Sequence, residues 1–312
     1  MLNKKIGATI TGLFVVVLLL SFVLIQAISL EEGAIKNSID GEAMKNLDVL
    51  VKGNGAVTNI WIDSYERISR LGANDLRYLF VDVGKFSADG KLLTTDEELM
   101  SFLNLVMEYE EKNDYGFVLI PYNDINTNFY DFTQEEFNRN FIESHRRLIN
   151  LGFDGIYLDI EPVKFEHRDA YLKMIERFRS EFSDEFLGVY AGHFGSDEKN
   201  YWVWDKTFYE EVSKRVDFIF AGLYDSGAQD KAEYEEYVRR QFDEILSSNL
   251  NSLVMFGVPT HRKYETAESA LEIYHQKQLE DNSRVIGFVV FAEWTTNGEE
   301  WDVIESYVKK SP

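Results

Sequence analysis

The sequence predicts a (β/α)8 barrel of the TIM type, preceded by an N-terminal transmembrane helix. Three observations lead there. Strand-like and helix-like segments alternate eight times over about 255 residues, the size of a closed barrel of this kind. Many of the strand segments are almost continuously apolar, as in a parallel sheet covered on both faces. Polar and aromatic residues collect where the strands end, which in such a barrel is the functional face. An open doubly wound sheet is the competing arrangement, but it usually shows a glycine-rich phosphate turn after an early strand, and none is present.

The chain has 312 residues, 45% hydrophobic and 14% aromatic, enough to fill a sizeable core. Asp and Glu outnumber Lys and Arg by 54 to 32, a formal charge of −22. That charge repels nucleic acid and anionic lipid and makes a polyphosphate a poor ligand. Without cysteine, neither a disulfide framework nor a thiolate metal site can form.

Residues 6–30 carry no charge and include the run LFVVVLLLSFVLI. At 1.5 Å per residue they reach about 37 Å, enough to cross a bilayer. Lys4 and Lys5 precede them and Glu31 and Glu32 follow, which places the N-terminus in the cytoplasm and the rest outside. The apolar run exceeds the usual h-region of about 7 to 15 residues, so an uncleaved anchor is expected ahead of a cleaved signal peptide. Residues 31–55 read as a polar linker and residues 56–312 as the barrel.

The first strand is expected at 56–62, with a short helix at 65–71. The second strand, 78–83, leads to a helix at 96–110 that Thr95 can cap. A third strand at 117–121 precedes a helix at 134–150. The fourth lies in the stretch LGFDGIYLDIEPV, residues 151–163, followed by a helix at 167–182. The fifth strand, 186–191, runs into an aromatic loop, YWVWDKTFY, and a helix at 207–215. The sixth is 216–223 with a helix at 231–247, the seventh 252–258 with a helix at 267–280, and the eighth 285–291 with a helix at 299–309.

The fourth strand is the centre of the chemistry. Side chains alternate across a strand, so Tyr157, Asp159 and Glu161 share one face, with neighbouring Cα atoms roughly 6 to 7 Å apart. The other strand ends contribute Asp82, Tyr122 and Asp124, Tyr190 and His193, Tyr224 and Asp225, His261 and Arg262, and Glu293 and Trp294. Aromatic rings beside carboxylates, with few cations, suit a sugar: rings stack on C–H surfaces while carboxylates and phenols bond hydroxyls.

The segment from Asp154 to Glu161, DGIYLDIE, resembles the D-G-x-D-x-D-x-E signature of family 18 glycoside hydrolases, the chitinases and endo-β-N-acetylglucosaminidases. Gly222-Leu223-Tyr224-Asp225 resembles that family's M-x-Y-D, and Trp294 its sugar-floor tryptophan. The resemblance implies a glycoside hydrolase without cofactor or metal that cleaves an N-acetylhexosamine polysaccharide, and the N-terminal segment implies that it is exported and membrane-anchored. It implies Glu161 as general acid and Asp159 as the group orienting the substrate's 2-acetamido nucleophile, with Tyr224 and Asp225 supporting it; this route is an exception to the two-carboxylate scheme. Tyr157 departs from the pattern, standing where the family has its middle aspartate. Tyr157, Asp225, Trp294, Asp82, Tyr122, Tyr190 and Glu293 are the expected substrate contacts.

GFDGIYLD also resembles family 114 endo-α-galactosaminidases, which leaves a conventional two-carboxylate glycosidase open. A non-catalytic sugar-binding barrel is a further alternative, against which the retained Glu161 argues. A metal-dependent hydrolase using Asp159, Glu161, His193 and His261 lacks any H-x-x-x-H spacing.

Overall fold

Alternation along each strand divides the apolar residues into two cores, and this division positions the site. The computed structural model describes residues 52–196, 200–260, 263–278 and 284–309. Among them are eight parallel strands: β1 (Asn54–Asn59), β2 (Leu76–Asp82), β3 (Val118–Tyr122, resuming as Asp124–Asn126), β4 (Gly155–Glu161), β5 (Phe186–Ala191), β6 (Phe218–Gly222), β7 (Leu253–Pro259) and β8 (Val285–Phe291). Each pairs with the next, and β8 returns to β1. The ring closes through β3, whose first segment pairs with β2 and whose second pairs with β4. Leu119 N–H also donates to Asp154 Oδ2 at 2.8 Å, and Asp154 N–H to the Leu119 carbonyl at 2.8 Å. The first aspartate of the fourth-strand motif thus stitches the seam.

Eight helices cover the outside: α1 (Tyr65–Ala73), α2 (Asp96–Asn113), α3 (Glu135–Leu151), α4 (Arg168–Glu181), α5 (Lys206–Ser213), α6 (Lys231–Ser247), α7 (Ala267–Gln278) and α8 (Gly298–Val308). Side chains cap several of their starts among the described residues. Thr95, the expected cap of α2, forms a reciprocal box with Glu98, Asp205 and Asp230 accept the N3 amides of α5 and α6, and Asn297 caps α8.

Ile156, Leu158 and Ile160 of β4 face the helices, while Tyr157 faces the barrel axis with Phe80, Phe218 and Phe220. The Tyr157 and Phe80 rings meet edge to face at 5.1 Å, and Tyr157 stacks with Phe218 at 6.3 Å. The axis is therefore filled by aromatics beneath the functional end, and truncating a fully buried one typically costs about 3 to 5 kcal/mol. Gly257 admits this packing, since a Cβ there would lie 2.6 Å from the Phe220 ring.

Several boundaries differ from expectation. The barrel begins at Asn54, before the expected 56. The sixth strand starts at Phe218, and Asp217 just before it meets Arg179 of α4 at 2.6 Å and the Leu187 amide at 2.9 Å. The loop after β5 contains a short parallel ribbon, His193–Phe194 against Val203–Trp204. The expected transmembrane helix, residues 1–30, and nearly all of the expected linker lie outside the described residues. Among the described residues no helix is long and apolar enough to cross a membrane.

Candidate active site

At the C-terminal ends of the strands lies a cavity of about 450 Å³. It gathers Tyr122, Asp124, Asp159, Glu161, Tyr190, His193, Tyr224 and Asp225, eight of the residues singled out in the sequence. Strand register explains the grouping. Asp124 is the direct neighbour of Asp159 across the β3–β4 seam, and Asn126 the neighbour of Glu161. Adjacent strands lie roughly 4.8 Å apart, so Asp124, Asp159 and Glu161 form a triangle of acids.

The charges that act on Asp159 and Glu161 are those of other carboxylates. Burial pushes Asp159 well above the usual carboxylate range, and the charges of Glu161 and Asp124 add to the effect. The Tyr122 hydroxyl opposes it, favouring the ionised form. Burial likewise pushes Glu161 up to about 8, helped by Asp124 and Asp225. Asp159 Oδ1 and Glu161 Oε2 are buried without a hydrogen-bond partner. The site therefore keeps a transferable proton at neutral pH and presents acceptors with nothing yet to accept.

The phenols around the acids stay neutral: burial raises Tyr122, Tyr190 and Tyr224 far above their ordinary value. Tyr224 stacks on Phe291 at 4.6 Å with 18° between the planes. Gly222, where the family motif has Met, leaves room for this arrangement, because a Cβ there would fall 2.9 Å from the Tyr224 ring and 3.0 Å from the Tyr190 hydroxyl oxygen. Asp225 adopts a left-handed conformation at φ 58°. The Glu265 carboxylate, only 6% exposed, clamps that turn by accepting from Asp225 N at 2.9 Å, Ser226 N at 2.8 Å and Ser226 Oγ at 2.6 Å.

Four expected contacts do not line the cavity. Tyr157 lies below it, 2% exposed, in the aromatic core. Asp82 accepts the Gly84 amide at 2.9 Å, and the Glu293 carboxylate is held by the Arg67 guanidinium of α1. Trp294 is 45% exposed. The reason is local: β8 ends at Phe291 and the chain turns through Glu293–Thr295, so Trp294 leaves the strand's alternation. Phe291, the last inward residue of β8, faces the cavity in its place. His261 and Arg262 lie outside the described residues.

Asn200 and Trp202 from the loop after β5 also reach the cavity, as Phe291 does. Parity along β8 points to Phe291, and the aromatic run of the loop points to Trp202, but nothing local marks Glu265 among so many acids. Among the described residues no group of three or more His, Asp or Glu side chains is placed to hold a metal ion.

A profile of the "Glycosyl hydrolases family 18" matches residues 58–310. No curated protein matches the chain by sequence. The structure is similar to that of a family 18 chitinase from Cycas revoluta in complex with (GlcNAc)3, with a TM-score of 0.61 and 10% identity over 83% of this chain and 99% of that one. It is also similar to the spore cortex-lytic enzyme SleL of Bacillus megaterium QM B1551, with a TM-score of 0.58 and 13% identity over 82% of this chain and 74% of that one. A chitinase from Chromobacterium violaceum ATCC 12472 gives 0.56 and 10% over 82% and 99%.

Proposed function

The chain belongs to the family 18 glycosyl hydrolases, and from that premise we propose that it cleaves an N-acetylhexosamine polysaccharide by substrate-assisted retaining hydrolysis. The observation that carries this reading is Glu161, pushed up to about 8 at the wall of a sugar-sized cavity beside Asp159. Glu161 donates its proton to the glycosidic oxygen as the bond to the anomeric carbon breaks. The acetamido carbonyl oxygen attacks that carbon, and Asp159 accepts the acetamido N–H and stabilises the charge that develops. Water then opens the cyclic intermediate, with Glu161 as base. Tyr224 and Asp225 position the acetamido group, and Phe291 offers the sugar a flat apolar face.

Tyr157 cannot share a proton with Asp159 as an aspartate would. Asp124 takes that part from the neighbouring strand, since it is paired in register with Asp159 and its charge acts on both catalytic acids. The bound (GlcNAc)3 of the similarly folded Cycas revoluta chitinase supports the sugar class.

Glu161→Gln keeps the shape of the side chain and removes the transferable proton, so turnover should fall by about 10²-fold or more while oligosaccharide binding persists. Substrates lacking the N-acetyl group should bind and scarcely react. Equal hydrolysis of acetylated and de-acetylated oligomers would move the assignment to a two-carboxylate mechanism, and tight binding without cleavage to a sugar-binding barrel. We also propose, from the charge asymmetry about residues 6–30, that the barrel is exported and membrane-anchored. Protease added to intact cells should digest it, and complete protection would refute export.

A further inference from the structure

Beside the catalytic cavity lies a larger hollow of about 1370 Å³, and the two share His193, Asn200 and Asp225. Its walls are helices as well as strand ends. The face of α6 that carries Tyr237, Arg240, Gln241 and Glu244 forms one side. The first and last of these are seven positions apart, so the hollow follows α6 for about 10 Å. A linear glycan lying over Glu161 crosses the barrel mouth, whereas a groove that turns down the flank fits something attached to the glycan.

The charges along the groove are uneven in their commitments. Arg168 is held by Asp205, and Glu211 by Lys214 and Arg215. Arg240 lies over the Tyr237 ring at 6.0 Å and has no ion pair among the described residues; neither has Glu244, one helical turn further along. Tyr237 touches the junction of the two hollows, its hydroxyl lying 2.5 Å from Nδ1 of the shared His193. Along α6, from the cavity outward, the groove thus offers the edge of the Tyr237 ring, the Arg240 guanidinium and then the Glu244 carboxylate; Glu166 and Asp169, which also line it, have no ion pair among the described residues either. A neutral polysaccharide has no use for that sequence. A chain with amide groups, an acid near its root and an amine further out does.

Building on the glycosidase reading, we propose that this groove binds a peptide branch carried by the glycan, with Arg240 holding a carboxylate near the branch point and Glu244 an amino group beyond it. The test uses the full chain and two probes with one backbone: peptidoglycan strands with their stem peptides, and the same strands stripped by an amidase. The wild type should favour the peptide-bearing strands about tenfold in kcat/KM, the scale of one charge-assisted hydrogen bond. Arg240→Ala should bring that ratio close to one through KM, and Glu244→Gln should lower it less. A wild-type ratio near one, or an Arg240→Ala variant that weakens both substrates equally, would overturn the proposal. If neither strand is cleaved, the glycosidase reading fails by itself and the groove is judged by binding. Tighter binding of peptide-bearing strands that Arg240→Ala abolishes would sustain it, and equal binding of the two strands would end it.

Discussion

The two ends of the barrel handle buried acids in opposite ways. At the base, Asp217 receives both the Arg179 guanidinium and the Leu187 amide on one oxygen, and Asp154 accepts the Leu119 amide. At the mouth, Asp159 and Glu161 are buried beside Asp124 and form no ion pair with a cation among the described residues; a buried oxygen without a partner is common to both ends, since Asp217 Oδ1 has none either. Burial is common to both ends; a guanidinium beside the acid is not. A buried acid paired with a guanidinium closes the structure, whereas one whose charged neighbours are acids is ready for a ligand and a proton.

The largest expected effect lies at the base. Asp217→Ala leaves Arg179 buried and unpaired, so the barrel should lose about 3 to 5 kcal/mol of stability while the folded fraction turns over substrate normally. At the mouth the sign reverses. Because Glu161 is raised to about 8, its contribution to stability is complete below its unfolded value of 4.5 and is lost as pH rises through about 8. Glu161→Gln should therefore stabilise the fold at pH 9 by on the order of 1 to 3 kcal/mol and leave it unchanged near pH 4. Denaturation curves at the two pH values check both claims. A destabilised Glu161→Gln at pH 9 would break the contrast.

Asp124 sharpens it. Its negative charge helps to raise Glu161, so Asp124→Asn should move the alkaline limb of the activity profile down from about 8 by roughly one unit. An unmoved limb, with the same variant otherwise active, would remove Asp124 from the proton-sharing role.

Much of this was legible in the sequence, and the gaps have physical causes. Alternation in residues 155–161 told which side chains face the axis, and eight strand–helix units told the architecture. What the sequence could not show is where a strand stops: the turn after Phe291 carries Trp294 out to solvent. Pairing across strands was also hidden. Neither the opposition of Asp124 to Asp159 nor the Arg67–Glu293 pair, 226 positions apart, has any local signature.

The smallest effect separates two aromatics at the mouth. Phe291 faces the cavity and braces Tyr224, whereas Trp294, three residues on, is exposed and lines no part of it. If provision toward the cavity decides function, Phe291→Ala should weaken (GlcNAc)3 binding by roughly 1 to 2 kcal/mol, the scale of one lost stacking face. Trp294→Ala, which removes a solvent-facing ring, should stay within about 0.5 kcal/mol of the parent. Calorimetric titration of both variants measures this directly, with thermal unfolding to confirm that each remains folded. The opposite ranking would mean that the turn at residues 293–295 swings over the bound sugar. It would return the floor of the site to Trp294, leaving Phe291 as packing for Tyr224.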